Sequence, residues 1–381
     1  KVSQANATIE QDRLTRSGMS PTTRQTGRDE RPVVAIVSNV PSAAVRRDAA
    51  CLAHAADQLG WTHRKFVLDG PAIVHPRYVQ DELASLCPTL IVALDASVGE
   101  LPYQLPASAR IVTLSRTDPD CAIMPAATVI EQEMIGREKS QRIIVLADRV
   151  DCCAAAAGLH LASHRKLWQL AEGIILARID SYDDAQAGEI LDQAQRRLEA
   201  KIENDGICEG LITRIRNMLG PALVTMSHLR ALSEAGLKFD LFGDGWEHEP
   251  MAGVTVRGCW PLPDRLANVV ERAGIVVTIE TGGRLTTGLL DAMAAGVLVM
   301  TRSTPAIDAS SDLRKILEGS WPIMRYHSRA ELLALVRQIA ENPSLGKVMA
   351  DRARARVMER HTWRHRLQSL HASSLHELKM A

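Results

Sequence analysis

Two runs in this sequence, Val33-Val34-Ala35-Ile36-Val37 and Leu90-Ile91-Val92-Ala93-Leu94, are apolar at every position rather than at alternate ones. A strand with one wet face alternates, so a continuous run requires burial on both faces, which is the condition inside a parallel sheet covered by helices. Each run is followed by turn residues and then by a helix-favouring stretch. After the first comes an Ala-rich segment from Ser42 to Leu59, closed by Gly60 at a C-cap position. Further strands fit Lys65 to Leu68, Ile111 to Leu114 and Ile143 to Leu146, and a helix fits Pro76 to Leu86. Strands alternating with helices predict βαβ units.

The alternation stops between about Cys152 and Ala235, where the pattern is almost wholly helical, and resumes near Gly236. Strands are predicted at Lys238–Phe242, Val254–Arg257, Ile275–Ile279, Val297–Met300 and Ile323–Arg325, with helices at Asp264–Arg272 and Leu285–Ala295. Three amphipathic helices follow, at Ser328–Glu341, Ser344–Arg360 and Arg364 to about Leu378. No solenoid period is present. The expected organisation is a disordered tail over 1–31, an N-terminal α/β domain with a helical segment over 32–220, a C-terminal α/β domain over 221–360, and a last helix over 361–381.

The chain's 381 residues are too many for one ordinary core and call for two or three domains. Lys plus Arg and Asp plus Glu are 45 each, so the net charge of zero gives no footprint for nucleic acid. No run of about 18 apolar residues is present, so no transmembrane segment is expected. The polar first 30 residues lack the apolar stretch of a secretion signal. Seven scattered cysteines, none in a C-x-x-C pair, argue against a disulfide framework and for a cytoplasmic location. Composition leaves a homo-oligomer open.

Candidate ligand-binding residues cluster in the second α/β segment. Gly243-Asp244-Gly245 follows a strand, where glycines let backbone approach a ligand, although a plain tight turn uses the same residues. Thr281-Gly282-Gly283-Arg284-Leu285-Thr286-Thr287-Gly288 lies between a strand and a helix. It combines small residues, helix-terminal amides and one cation, equipment suited to a diphosphate, although a capped loop with a solvated arginine explains it equally. His160 and His164, and also His361 and His365, have the i, i+4 spacing of metal ligands, but no third ligand accompanies either pair, so no metal site is expected. His75 and Asp95 are loop and strand-end residues better read as turn and cap groups.

Gly243-Asp244-Gly245-Trp246, Val256-Arg257-Gly258, the segment Leu262 to Val277, and Leu289-Leu290-Asp291-Ala292-Met293-Ala294-Ala295-Gly296 stand in an order that resembles the donor-binding half of GT-B glycosyltransferases. The likeness is to the CgeB-like, glycosyl transferases group 1 type, and Arg360-His361-Thr362-Trp363-Arg364-His365-Arg366 resembles that family's closing signature. It spans about residues 205–370; the N-terminal half resembles the family only in its alternation. The resemblance implies two doubly wound, Rossmann-like domains facing a cleft, with the last helix crossing back to the N-terminal domain. It implies a nucleotide-sugar donor as substrate, no cofactor, and an acceptor (glycan, protein or small molecule) held by the N-terminal domain. Residue by residue, it implies Asp291 at the ribose hydroxyls, Gly282, Gly283 and Arg284 at the diphosphate, and Arg257, Gly258 and Trp260 near the nucleobase. Arg284 would be the catalytic cation.

Two positions depart from the family pattern. Gly283 stands where many retaining relatives carry an acid, eight residues before Asp291, and Gly288 stands where an arginine is usual. Either Arg284 supplies the missing charge or the chain is a non-catalytic scaffold of the same fold. A nucleotide-dependent epimerase is the third reading, weakened by the absence of paired carboxylates. A left-handed backbone, which arginine would resist, is the expected reason for glycine at 288.

Overall fold

The computed structural model describes residues 31–38, 43–67, 76–94, 104–114, 142–279, 286–304 and 323–378. The expected tail, His75, Asp95, Gly282, Gly283 and Arg284 lie outside them. The chain divides into two compact units, one of Lys1–Met124 with Trp363–Ala381 and one of Pro125–Thr362.

The first unit carries β1 (Val33–Ser38), α1 (Ala43–Leu59), β2 (Thr62–Val67), α2 (Pro76–Leu86), β3 (Leu90–Leu94) and β4 (Arg110–Leu114). All pairings are parallel, in the order β2-β1-β3-β4. The central strands β1 and β3 are the two continuous apolar runs. β2 starts at Thr62 rather than Lys65 because it is an edge strand, where polar and charged residues such as Thr62, His63 and Arg64 are tolerated on a half-wet surface. Val79 and Leu83, one turn apart on α2, pack with Ala35, Val37, Ile91 and Ala93.

The second unit begins with β5 (Arg142–Leu146) and continues through α3 (Cys152–Ala157), α4 (Ala162–Ala177), α5 (Ala187–Leu198), α6 (Asp205–Arg214) and α7 (Gly220–Glu234). A π-helical turn, Ile215–Leu219, joins α6 to α7. Then come β6 (Phe239–Phe242), β7 (Val254–Gly258), α8 (Pro263–Val270), β8 (Ala273–Thr278), α9 (Thr287–Ala294), β9 (Leu298–Arg302) and β10 (Met324–Tyr326). The helices α10 (Arg329–Glu341) and α11 (Pro343–Arg360) complete it. The last helix, α12 (Trp363–Leu378), belongs to the first unit and packs on α1. There the rings of Trp61 and His371 meet edge to face at 5.4 Å.

The second sheet is parallel throughout, in the order β10-β9-β8-β5-β6-β7. Its strands divide their side chains between two cores. Ile143, Val145, Ile275, Val277, Leu298 and Met300 enter a core with the helices α4, α5 and α7. Ile144, Val276 and Val299 enter the other, with Leu289, Leu290 and Met293 of α9. Period-2 alternation with both faces apolar is the condition the sequence implied.

The expected domain boundary at 220 is corrected. β5 is the central strand of the second sheet, and the helical stretch is the crossover from β5 to β6. A local apolar pattern identifies a strand but not its partners; β5 pairs with β6 and β8, whose residues lie roughly 100 and 130 positions further along.

Candidate functional site

Counted from β5, the second sheet has the doubly wound order 3-2-1-4-5-6, which reverses between β5 and β8. Ligands on such sheets lie beyond the carboxyl ends of the strands at that reversal. The segments that leave those ends are therefore the candidate site.

The exits of β5, β6 and β7 are bound to one another. Gly243 N–H donates to Gly258 O at 2.9 Å, Ala147 N–H to Phe242 O at 3.0 Å and Arg149 N–H to Asp244 O at 2.9 Å. Asp244 N–H donates to Asp148 Oδ1 at 3.1 Å, and the buried Trp246 donates its indole N–H to Ala147 O at 2.6 Å. A Cβ on Gly243 would stand 1.9 Å from Ala147 O. At Gly243, one of the two glycines expected to let backbone approach a ligand, a close approach is made by the protein's own β5 exit. Gly245 (φ +85°) makes the turn, its missing Cβ facing Arg149. Cys259 donates to Asp244 Oδ1 at 2.6 Å, and this bond, with burial, pushes the thiol up to about 11.

Gly258 (φ +74°) turns the chain after β7, and Trp260 folds onto α9. Its indole N–H donates to Asp291 Oδ2 at 2.9 Å, and its ring meets Phe242 edge to face at 5.2 Å. Trp260 retains 8% exposure and Asp291 none. Gly288 lies against both elements: a Cβ there would stand 3.0 Å from Leu146 Cδ1 and 3.5 Å from Trp260 Cγ. Its φ is not positive, so lack of room, not a left-handed backbone, accounts for the glycine. The helix begins with Thr286 as its N-cap, the hydroxyl accepting from Leu289 N–H at 3.3 Å.

Asp291 and Trp260 are therefore hydrogen-bonded to each other, with the carboxylate fully buried. Arg257 is directed elsewhere. Its Nε lies 3.1 Å from Asp240 Oδ1, and Arg142 Nε lies 2.6 Å from the other oxygen. Asp240 is nearly buried, so two guanidinium groups neutralise it. Arg284, Gly282 and Gly283 follow β8 outside the described residues.

Motif reading missed a second polar cluster, at the carboxyl ends of β9 and β10. Arg302 is fully buried, with Nη2 donating to the carbonyls of Ile179, Asp180 and Tyr182 at 3.2, 3.1 and 2.6 Å. Arg329 forks onto Asp180 at 3.0 and 3.2 Å. Burial would raise the Asp180 carboxyl, but the hydrogen bonds and charge of Arg329 hold it below its usual value. His228 is fully buried, with Nδ1 donating to Val224 O at 2.8 Å, and burial pushes its imidazole down to about 4. Tyr182 lies over Gly220, its phenol pushed up by burial. The available signal was an arginine ending the apolar strand Leu298-Val299-Met300-Thr301.

Residues 226–372 match the family model described as "Glycosyl transferase-like". This stretch runs from α7 into α12 and includes every expected site residue. Among curated proteins none matches the chain. Solved structures similar to it include the glycosyltransferase SnogD from Streptomyces nogalater, 14% identical over 90% of this chain and 99% of that one, with a TM-score of 0.38. Sucrose-phosphate synthase from Thermosynechococcus elongatus is 13% identical over 92% and 99%, with a TM-score of 0.41. WaaG, a glycosyltransferase involved in lipopolysaccharide biosynthesis, is 11% identical over 89% and 98%, with a TM-score of 0.38. Among the described residues no helix is long and apolar enough to cross a membrane, and none of their His, Cys, Asp and Glu side chains form a group of three or more suited to a metal ion.

Proposed function

We propose that the protein is a glycosyltransferase that takes a sugar from a nucleotide-sugar donor without a metal ion. The observation that carries the reading is a coincidence of place: the family match covers the strand exits at the reversal of the second sheet. The nucleoside lies at the β7–α8 segment around Gly258 and Trp260. The diphosphate lies toward Gly282, Gly283 and Arg284, where helix-terminal amides and one guanidinium stabilise the departing charge. The acceptor is held by the first unit.

Thermal-shift titration with UDP-, GDP- and dTDP-sugars tests the reading. Ligand at 100 times its Kd raises stability by about 2.7 kcal/mol through linkage, and no response to any donor rejects it. Arg284→Ala should lower turnover about 100- to 1,000-fold, the cost of one lost transition-state donor. Unchanged turnover would remove Arg284 from the mechanism. Gly283, where retaining relatives carry an acid, favours a second reading as a non-catalytic scaffold. A protein that binds a donor and turns none over would support that reading.

A further inference from the structure

The donor residues leave the closing segment, Arg360 to Arg366, without a role. Arg366 lies in the first turn of α12 and is partly buried. Its Nε and Nη2 are buried and donate to no acceptor, and burial alone pushes the guanidinium down, with no carboxylate among the described residues to oppose it. Trp363, three residues earlier on the same face of the helix, is 2% exposed, and its indole N–H also donates to nothing. Elsewhere the guanidinium groups of Arg302, Arg329 and Arg257 reach carbonyls or carboxylates. A charge taken out of water without a partner is costly.

The local charges add a second mismatch. A helix N-terminus carries free N–H groups and partial positive charge, which favour acids in the first turn. The first turn of α12 has no acid; Arg364, His365 and Arg366 follow Trp363 directly. Burial, and then the two flanking arginines, push the His365 imidazole down. The unsatisfied groups of Arg366 and Trp363 are all donors, so what they lack is an acceptor, and the charge asks for a negative one. Nε–H and Nη2–H share one edge of the guanidinium, the fork that meets two oxygens on a single centre.

We propose that the start of α12 is a binding site for a small oxyanion, a carboxylate or a phosphate group, gripped side-on by Arg366 with the indole N–H of Trp363 as a further donor. The site uses none of the residues assigned to the donor. Because α12 packs on α1, its occupancy stabilises the helix that covers α1.

Calorimetric titration of inorganic phosphate and, separately, of acetate into the full chain tests the site, in chloride buffer at constant ionic strength. Wild type should bind at least one of them saturably, and the tighter of the two identifies the class of ligand. Arg366→Lys keeps the charge but loses the fork, and Trp363→Phe loses one N–H; each should weaken that binding about 10-fold. Arg366→Met removes a charge that nothing balances. In chloride alone its Tm should equal or exceed that of wild type, and the anion should raise the Tm of wild type only. No saturable binding of either anion by about 10 mM would overturn the proposal. A lower Tm for Arg366→Met in chloride would overturn it too, because the protein itself would then be holding the guanidinium. So would a rise in Tm shared equally by wild type and Arg366→Met, which is salt exclusion from the surface and not a site.

Discussion

His228 stands between Ser227 and Leu229 on α7, and the fold holds it neutral between Arg302, Arg329, Asp180 and the ring of Tyr326. Its folded pKa of about 4 lies below the ordinary 6.5, so the folded state binds fewer protons than the unfolded chain in that window. The stabilisation is fully present above the unfolded value and is lost as pH falls from about 6.5 toward 4. Denaturant unfolding at pH 7 and pH 4.5 should show wild type losing more than His228→Gln, by an amount of about 1–3 kcal/mol. Equal losses would mean that the imidazole does not resist protonation. Residues of this kind also mark the limit of what one chain reveals. Asp291 could be picked out from its motif, but its burial depends on Trp260, 31 residues earlier. That Arg257 pairs with Asp240 could not be read from its own segment, and the expected left-handed backbone at Gly288 gives way to the closeness of Leu146.

The helix from Asp205 to Glu234 is interrupted by its π turn where α7 begins at Gly220. A Cβ at Gly220 would lie 1.9 Å from Tyr182 Oη and 2.4 Å from Cε1, so the whole ring would have to move. Alanine normally stabilises a helix interior by about 1 kcal/mol over glycine. Here overpacking against a fully buried ring should exceed that gain, and Gly220→Ala should destabilise by about 1–3 kcal/mol net in denaturant melts. A more stable variant would show that Tyr182 can retreat. Most elements were legible because their periodicity is local: α2 and β3 lie where the sequence reading put them. The π turn was not, since no pattern in Ile215–Leu219 marks it, and the contact of Gly220 at its end is with Tyr182, more than 30 residues upstream.

For the molecule as a whole, the class of fold was legible because β1 and β3 are apolar without alternation. The division into units was not, because it depends on which strands pair. The second unit is one uninterrupted stretch with two cores of its own. Residues 125–362 expressed alone should therefore give a cooperative thermal transition and helical circular dichroism. A fragment with broad, non-cooperative melting would show that the division at Met124 is not one of stability. Deleting Trp363–Ala381 should leave this stretch intact and make residues 32–124 susceptible to limited proteolysis, because α1 loses the helix packed on it.

The discontinuity of the first unit has a consequence on the ribosome. Roughly 300 residues separate the end of α1 from the start of α12, and at about 5–20 residues per second the helix that covers α1 emerges about 15–60 s later. Throughout that interval α1 lacks the helix that packs on it, while the second unit can fold as it appears. Synthesis of this stretch therefore completes the second unit before α12 can join α1, so the first unit is the one that waits for a segment made much later.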